Sequence, residues 1–210
     1  MTITYLIELI GTIAFAISGV RLAGRREYDI FGGFVLAWVT AVGGGTLRDC
    51  MLGQTPFWMT SPMYFLCTLF AVVLVQVFGR LMDKMNTAWL FFDTLGLALF
   101  TIAGLQKTLD CGQPMWVAVM MGCITGVAGG VIRDTLASIK PVIFQKDIYA
   151  MSSIMGGCFY SLMLRCGLSP IIISVATFLF IVIIRLIGWH YKIELPKINI
   201  GEEKRRKHKD

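Results

Sequence analysis

Gly44-Gly45-Thr46-Leu47-Arg48-Asp49 recurs as Gly129-Gly130-Val131-Ile132-Arg133-Asp134, 85 positions further along the chain. The same offset continues without a gap on both sides. It pairs Glu8 with Asp93, Gly11 with Gly96, Phe15 with Phe100, Gly19 with Gly104 and Thr40 with Thr125, and beyond the motif Pro56 with Pro141, Tyr64 with Tyr149 and Arg80 with Arg165. Chance supplies one glycine-rich match easily, but not an acid, a prolyl loop and a tyrosine in register around it. The chain therefore contains an internal duplication.

Around the motif the sequence is apolar. Of 210 residues 56% are hydrophobic and 15% charged, with a mean hydropathy of +0.72, which is above the range of a chain that must solvate its surface. Stretches long enough to cross a bilayer, roughly 20 residues each, fall at 3–20, 30–52, 62–79, 88–106, 114–137, 148–165 and 170–191. The expected fold is an all-α membrane protein of seven transmembrane helices: repeat one over 3–82, repeat two over 88–166, and a seventh helix over 170–191 outside the duplication. Three spans are an odd number, so the second repeat enters the membrane from the opposite side and the two are inverted. Residues 1–191 form a single transmembrane domain and 192–210 a basic tail. No length remains for a soluble catalytic domain, and nothing points to a nucleic-acid partner, an enzyme or a cofactor.

Short-loop charge sets the expected orientation. Arg21, Arg25 and Arg26 follow span 1, Arg80 and Lys84 span 3, Lys140 and Lys146 span 5, and a Lys/Arg-rich tail span 7; the intervening loops hold only Arg48, Lys107 and Arg165. This places the N-terminus outside and the C-terminus in the cytoplasm of a bacterial inner membrane. The 202–209 run, Glu-Glu-Lys-Arg-Arg-Lys-His-Lys, is a candidate for contact with anionic lipid, against the commoner alternative of a solvated topology anchor. Span 1 begins without basic residues and carries Glu8, so it reads as a retained helix and not a signal peptide. Six scattered cysteines are expected to act as small buried hydrophobes, and His190 and His208 lie far from any thiol cluster, so no transition metal is expected. The five tryptophans sit mostly near span ends, as an interfacial belt would place them.

Gly43-Gly44-Gly45 and Gly129-Gly130 lie inside spans 2 and 5, where each glycine costs about 1 kcal/mol relative to alanine. They are expected to bend or unwind these helices and free carbonyls toward a cavity, although close helix packing through small residues accounts for glycine equally well. Arg48, Asp49, Arg133 and Asp134 follow within a turn; charges at such depth face a bundle interior or an aqueous path and pair with one another. Glu8 and Asp93 are the equivalent acids available to them, Asp93 being the deeper. Ser18, Thr40, Thr125, Ser152 and Ser153 are candidates to line a path, against the commoner alternative of bonding their own helix backbone. Span 7, broken by Ser174, Thr177 and Arg185, reads as a scaffold or lipid-facing helix.

The paired Gly-Gly-x-x-Arg-Asp motifs, each in the middle span of a three-helix repeat followed by a lone seventh helix, resemble the prokaryotic branch of the trimeric intracellular cation (TRIC) channel family, whose members also carry the name "glycine transporter" domain. The resemblance runs from Glu8 to about Gly188. It implies a homotrimer in membrane lipid, with a path for potassium or sodium inside each subunit between the repeats. It also implies that spans 2 and 5 line that path around Gly43 to Gly45 and Gly129 to Gly130, with Arg48, Asp49, Arg133 and Asp134 at the pore or its gate. Inverted repeats also build secondary transporters, so a carrier of glycine or another small amino acid stands as the alternative at this stage.

Overall fold

In the computed structural model, residues 3–83, 88–145 and 148–193 are described, those at 80–83 and 88–89 by their backbone alone. These residues form seven α-helices: α1 Ile3–Arg25, α2 Ile30–Met51, α3 Met63–Asp83, α4 Ala88–Asp110, α5 Met115–Leu136, α6 Tyr149–Arg165 and α7 Pro170–His190, with 3-10 turns at Phe57–Thr60 and Val142–Phe144. α1, α2, α4, α5 and α7 are long and apolar enough to cross a bilayer. α3 is apolar over Met63–Gly79, and α6, with 17 residues, extends only about 26 Å. Local chemistry sets the helix starts. Asp29 accepts from the Gly32 N–H at 2.6 Å at the head of α2, and Ser169 caps α7 ahead of Pro170, positions that favour a short acceptor and a residue with no N–H to satisfy.

α1 and α4 pack on each other and on α2 and α5 to form the centre, α3 and α6 flank it, and α7 lies against α6 and α4. The duplication is visible as reciprocal contacts. Phe15 and Phe100 stack on each other with centroids 5.4 Å apart, and each ring fills the space that a side chain at the other repeat's glycine, Gly96 or Gly11, would need.

The glycine clusters do not break their helices. α2 runs uninterrupted through Gly43, Gly44 and Gly45, and α5 through Gly129 and Gly130. What their missing side chains permit is a crossing. A Cβ on Gly44 would stand 2.1 Å from the Thr125 carbonyl oxygen, and one on Gly129 would stand 2.3 Å from the Thr40 carbonyl oxygen. The expectation of unwinding fails because the cost of glycine is offset by backbone contact with the other repeat, as in small-residue helix interfaces.

Other expectations are also corrected. Of the two readings of the seventh helix, scaffold or lipid-facing, α7 combines both: Ile173, Ser174, Thr177, Ile181, Arg185 and Gly188 form a buried stripe at helical spacing, while Ile172 and Leu179 are exposed. None of the six cysteines is buried; Cys50, Cys158 and Cys166 are exposed and the others partly so. On an apolar exterior of this kind a thiol does not need burial. Trp116 and Trp189 are exposed, but Trp38 and Trp58 pack edge to face at 5.5 Å inside the first repeat, with the Trp58 indole donating to Thr46 at 3.0 Å. Lys84, Lys146 and the tail beyond residue 193, together with the side chains of Arg80 and Trp89, lie outside the described residues.

Candidate functional site

Each motif delivers its arginine to an acid on the first helix of its own repeat. Arg48, near the end of α2, donates from Nη2 to Glu8 Oε1 at 3.0 Å, and from Nε and Nη2 to the two oxygens of Asp49 at 2.7 and 3.1 Å. Arg133, near the end of α5, donates from Nη1 to Asp93 Oδ1 at 2.5 Å and from Nε to Asp134 Oδ1 at 2.9 Å. All six side chains are buried. A guanidinium with its planar donor fork suits this task, because it binds two carboxylates at once; Arg48 Nη1 is left without a hydrogen-bond partner among the described residues.

The aspartates have a second duty that explains the rest of the repeat. Asp49 Oδ2 accepts the Phe57 N–H at 2.7 Å, and Asp134 Oδ2 accepts the Val142 N–H at 3.0 Å. Both donors head the 3-10 turns, immediately after Pro56 and Pro141. Proline fixes φ and directs the loop back over the helix end; the carboxylate then satisfies a backbone N–H that would otherwise be buried unmade. The duplicated hexapeptide thus combines a glycine crossing, an ion pair to the first helix and a clasp on the returning loop.

The two clusters stand on either side of the crossing. Since Gly44 meets Thr125 and Gly129 meets Thr40, α2 and α5 are antiparallel, and Arg133 is level with Leu36 of α2. That level is twelve residues from Arg48, about 18 Å along the axis. Thr40 and Thr125 lie at the crossing, but their hydroxyls bond their own helices, to the carbonyls of Leu36 at 2.5 Å and Met121 at 2.6 Å. Ser152 likewise bonds the Tyr149 carbonyl, and Ser153 bonds Thr101 at 2.7 Å. Of the five hydroxyl candidates only Ser18 meets a motif charge, accepting from Arg133 at 2.6 Å.

The clusters differ where the repeats have diverged. Tyr64 donates to Glu8 Oε2 at 3.0 Å; its equivalent Tyr149 makes no such bond to Asp93, and among the described residues neither the Tyr149 hydroxyl nor Asp93 Oδ2 has a hydrogen-bond partner. Lys107 of α4 places its ammonium 2.9 Å from Asp49 Oδ1, and Arg185 of α7 places its guanidinium 4.8 Å from the centre of the Tyr149 ring. A cavity of about 230 Å³ opens at the Arg133 end, lined by Ser18, Arg21, Arg25, Arg133, Asp134 and Gln145 among others. A larger one of about 320 Å³ lies to the side, between α1, α2 and α3, and touches neither motif. Sequence reasoning did not single out Lys107 and Arg185. Lys107 reads as a loop charge, and Arg185 belongs to a buried stripe whose period was the available signal. The tyrosine difference predicts that Tyr64→Phe lowers stability by about 1.5–3 kcal/mol, the value of a hydrogen bond to a charged group, while Tyr149→Phe is nearly neutral. Thermal unfolding of the two variants in detergent checks this.

With this geometry the chain matches known proteins over most of its length. The family described as "Glycine transporter" matches residues 5–80 and 90–165, one match per repeat. A "UPF0126 membrane protein" of Vibrio cholerae is 39% identical over 198 residues, covering 91% of this chain and 82% of that protein. The "UPF0126 inner membrane protein YadS" of Escherichia coli K12 is 36% identical over 211 residues, covering 97% and 100%. Among solved structures, the TRIC trimeric intracellular cation channel orthologue from Rhodobacter sphaeroides superposes with a TM-score of 0.86 at 32% identity, covering 92% of this chain and all of that one. A structure described in connection with TRIC counter-ion channels in calcium release shares the fold, with a TM-score of 0.62 at 12% identity. The chain is a membrane protein of the TRIC channel family, to which the glycine-transporter family description also applies.

Proposed function

We propose that this protein is a monovalent-cation channel, passing potassium or sodium along a path inside each subunit between the inverted repeats. The observation that carries the reading is the pair of buried clusters, Glu8–Arg48–Asp49 and Asp93–Arg133–Asp134, on opposite sides of one helix crossing. In each cluster two carboxylates answer the guanidinium, and at the Glu8 end Lys107 adds a further cation against Asp49. Arginine in a cation path is then no contradiction, since its charge is neutralised by the carboxylates beside it. Gly43, Gly44, Gly45, Gly129 and Gly130, with Thr40 and Thr125, form the constriction between the clusters. The likeness to TRIC cation channels supports the same reading, and a pair of fixed three-helix repeats leaves little room for a carrier's alternating access.

The finer expectations belong to this proposal: a homotrimer in the bacterial inner membrane, N-terminus outside and C-terminus cytoplasmic, with the Glu8 cluster near the outer face and the Asp93 cluster near the inner. The loop charges support the orientation. Exposed apolar side chains on the outer helices, such as Phe70 and Val77 of α3 and Ile172 and Leu179 of α7, suit contact with lipid or with further subunits. Purified protein in a planar bilayer provides the test. Unitary ohmic currents carried by potassium are expected, whereas electrically silent, saturable glycine uptake into vesicles overturns the channel. Native mass spectrometry of the same sample is expected to give the mass of three chains; monomers alone count against the trimer.

A further inference from the structure

A duplication should pack the two repeats alike, and at one place the structure departs from this. In the second repeat Leu105, Leu109, Met115, Ala118 and Tyr160 form one apolar cluster with Ile173 and Phe178 of α7, and Gln106 donates to Tyr160 and Ser174 at 3.3 and 2.8 Å. At the equivalent positions the first repeat has Val20, Gly24, Ile30, Gly33 and Val75, with Arg21 in place of Gln106. All six line the cavity of about 320 Å³ between α1, α2 and α3. Its glycines are not required by packing. A Cβ on Gly24 would meet nothing within 4 Å, one on Gly33 only the Ala23 methyl at 3.7 Å, and one on Gly79, where the second repeat has Leu164, only a Val75 methyl at 3.9 Å. These three differ from the glycines of the α2 and α5 crossing, which seat backbone. What the second repeat fills with side chains, the first leaves open.

We propose that this cleft binds an anionic glycerophospholipid, its phosphodiester on Arg21 and Arg25 and the start of an acyl chain along Val72 and Val75. The lining comes from the end of α1, the start of α2 and the latter part of α3, so the cleft lies at one membrane face, at the depth of lipid head groups. Its walls are amphipathic. Val20, Ala23, Val72 and Val75 supply the apolar part, and Arg21, buried, and Arg25, exposed, supply guanidinium groups whose planar donors match a phosphate. The one carboxylate in the lining, Asp29, is engaged through Oδ1 by the Gly32 N–H at the cap of α2. The charge is not inherited from the duplication, since the second repeat has Gln106 and Asp110 where the first has the two arginines. Topology alone accounts for Arg25, but not for a buried Arg21 beside three glycines that packing does not need. Arg21 and Arg25 also line the smaller cavity beside Arg133, so the head group borders that end of the molecule. The site depends on the chain spanning a membrane and not on the channel reading.

Native mass spectrometry of the full chain, purified in mild detergent, tests this. The wild-type protein is expected to retain a phospholipid on each chain, and after delipidation to rebind phosphatidylglycerol in preference to phosphatidylcholine. Combining Gly24→Leu with Gly79→Leu introduces the residue type of the second repeat at both positions and is expected to lower retention about tenfold or more, since a filled site resists further methylenes. Arg25→Gln lowers it about two- to fivefold, the effect of one exposed ion pair, and narrows the preference for phosphatidylglycerol. Inorganic phosphate in excess leaves the lipid in place, because it replaces the charge contact and not the apolar one; displacement by phosphate would reveal an ion site and overturns the proposal. So does the absence of stoichiometric lipid from the wild-type protein, or equal retention by the filled variant. A filled variant that loses a partner chain while its lipid is unchanged marks the cleft as the seat of a second copy, which also overturns it. Should the filled variant not assemble, Arg25→Gln decides alone, and an unchanged preference between the two lipids overturns the proposal.

Discussion

Replacing Gly44 or Gly129 with alanine is expected to cost more than about 3 kcal/mol, beyond the usual range for overpacking, and leucine at either position is expected to yield no assembled protein. The new methyl carbon would fall 2.1 Å from the carbonyl oxygen of Thr125 or 2.3 Å from that of Thr40. Neither obstacle is a flexible side chain; relief requires the two helices to part along their closest contact. The neighbouring Gly43 differs in kind, because a Cβ there meets the terminal methyl of Ile132 at 2.9 Å, which a rotamer change relieves. Gly24 provides the control: nothing lies within 4 Å of a Cβ at that position, so Gly24→Ala is neutral or slightly stabilising. Thermal unfolding in detergent, with gel filtration to follow assembly, checks the series. Tolerance of alanine at both Gly44 and Gly129 would show that the crossing is not tight.

Arg133→Ala is expected to be the most damaging of the charge removals, lowering stability by roughly 3–5 kcal/mol as for other buried pairs broken from one side. It leaves Asp93 and Asp134 buried together and removes the donor to Ser18. Arg48→Ala should cost less, because Lys107 still reaches Asp49 and Tyr64 still donates to Glu8. Arg133→Lys restores the charge but not the fork, since a single ammonium cannot serve Asp93, Asp134 and Ser18 in one plane, and recovers only part of the loss. Urea or thermal unfolding of the four proteins ranks them, and an Arg48→Ala variant weaker than Arg133→Ala would contradict the assignment of Lys107 and Tyr64.

Much of this was legible in the chain because duplication and hydropathy are one-dimensional signals. The gapless offset from Glu8 to Arg165 located the repeats, the two motifs and the acids Glu8 and Asp93 that their arginines meet. The glycines were misread for a physical reason. A break and a crossing both require the absence of Cβ, and only the identity of the atom that Cβ would strike, on another helix, distinguishes them. Thr40 and Thr125 shared that ambiguity, since a hydroxyl at the right depth serves a path or its own backbone equally. Lys107 was hidden by its position at a helix end, where a lysine ordinarily faces water. Arg185 was hidden by its neighbours: within a run as apolar as Ile171 to Ile187, one charge looks like an interruption until it is seen to share a stripe with Ser174, Thr177 and Ile181.

The crossing of α2 and α5 has a mechanical corollary. Gly44 and Gly129 each seat a carbonyl of the opposite helix, so neither helix can slide along the other by one residue without driving a side chain into backbone. The contact resembles the rivet of a pair of scissors, with the blades held in turn by α1 and α4 through Glu8 and Asp93. Arg48 and Arg133 are on opposite arms, one on each side of that rivet. The contact at Gly44 and Gly129 thus joins the two arms that carry the clusters, with no break in either helix.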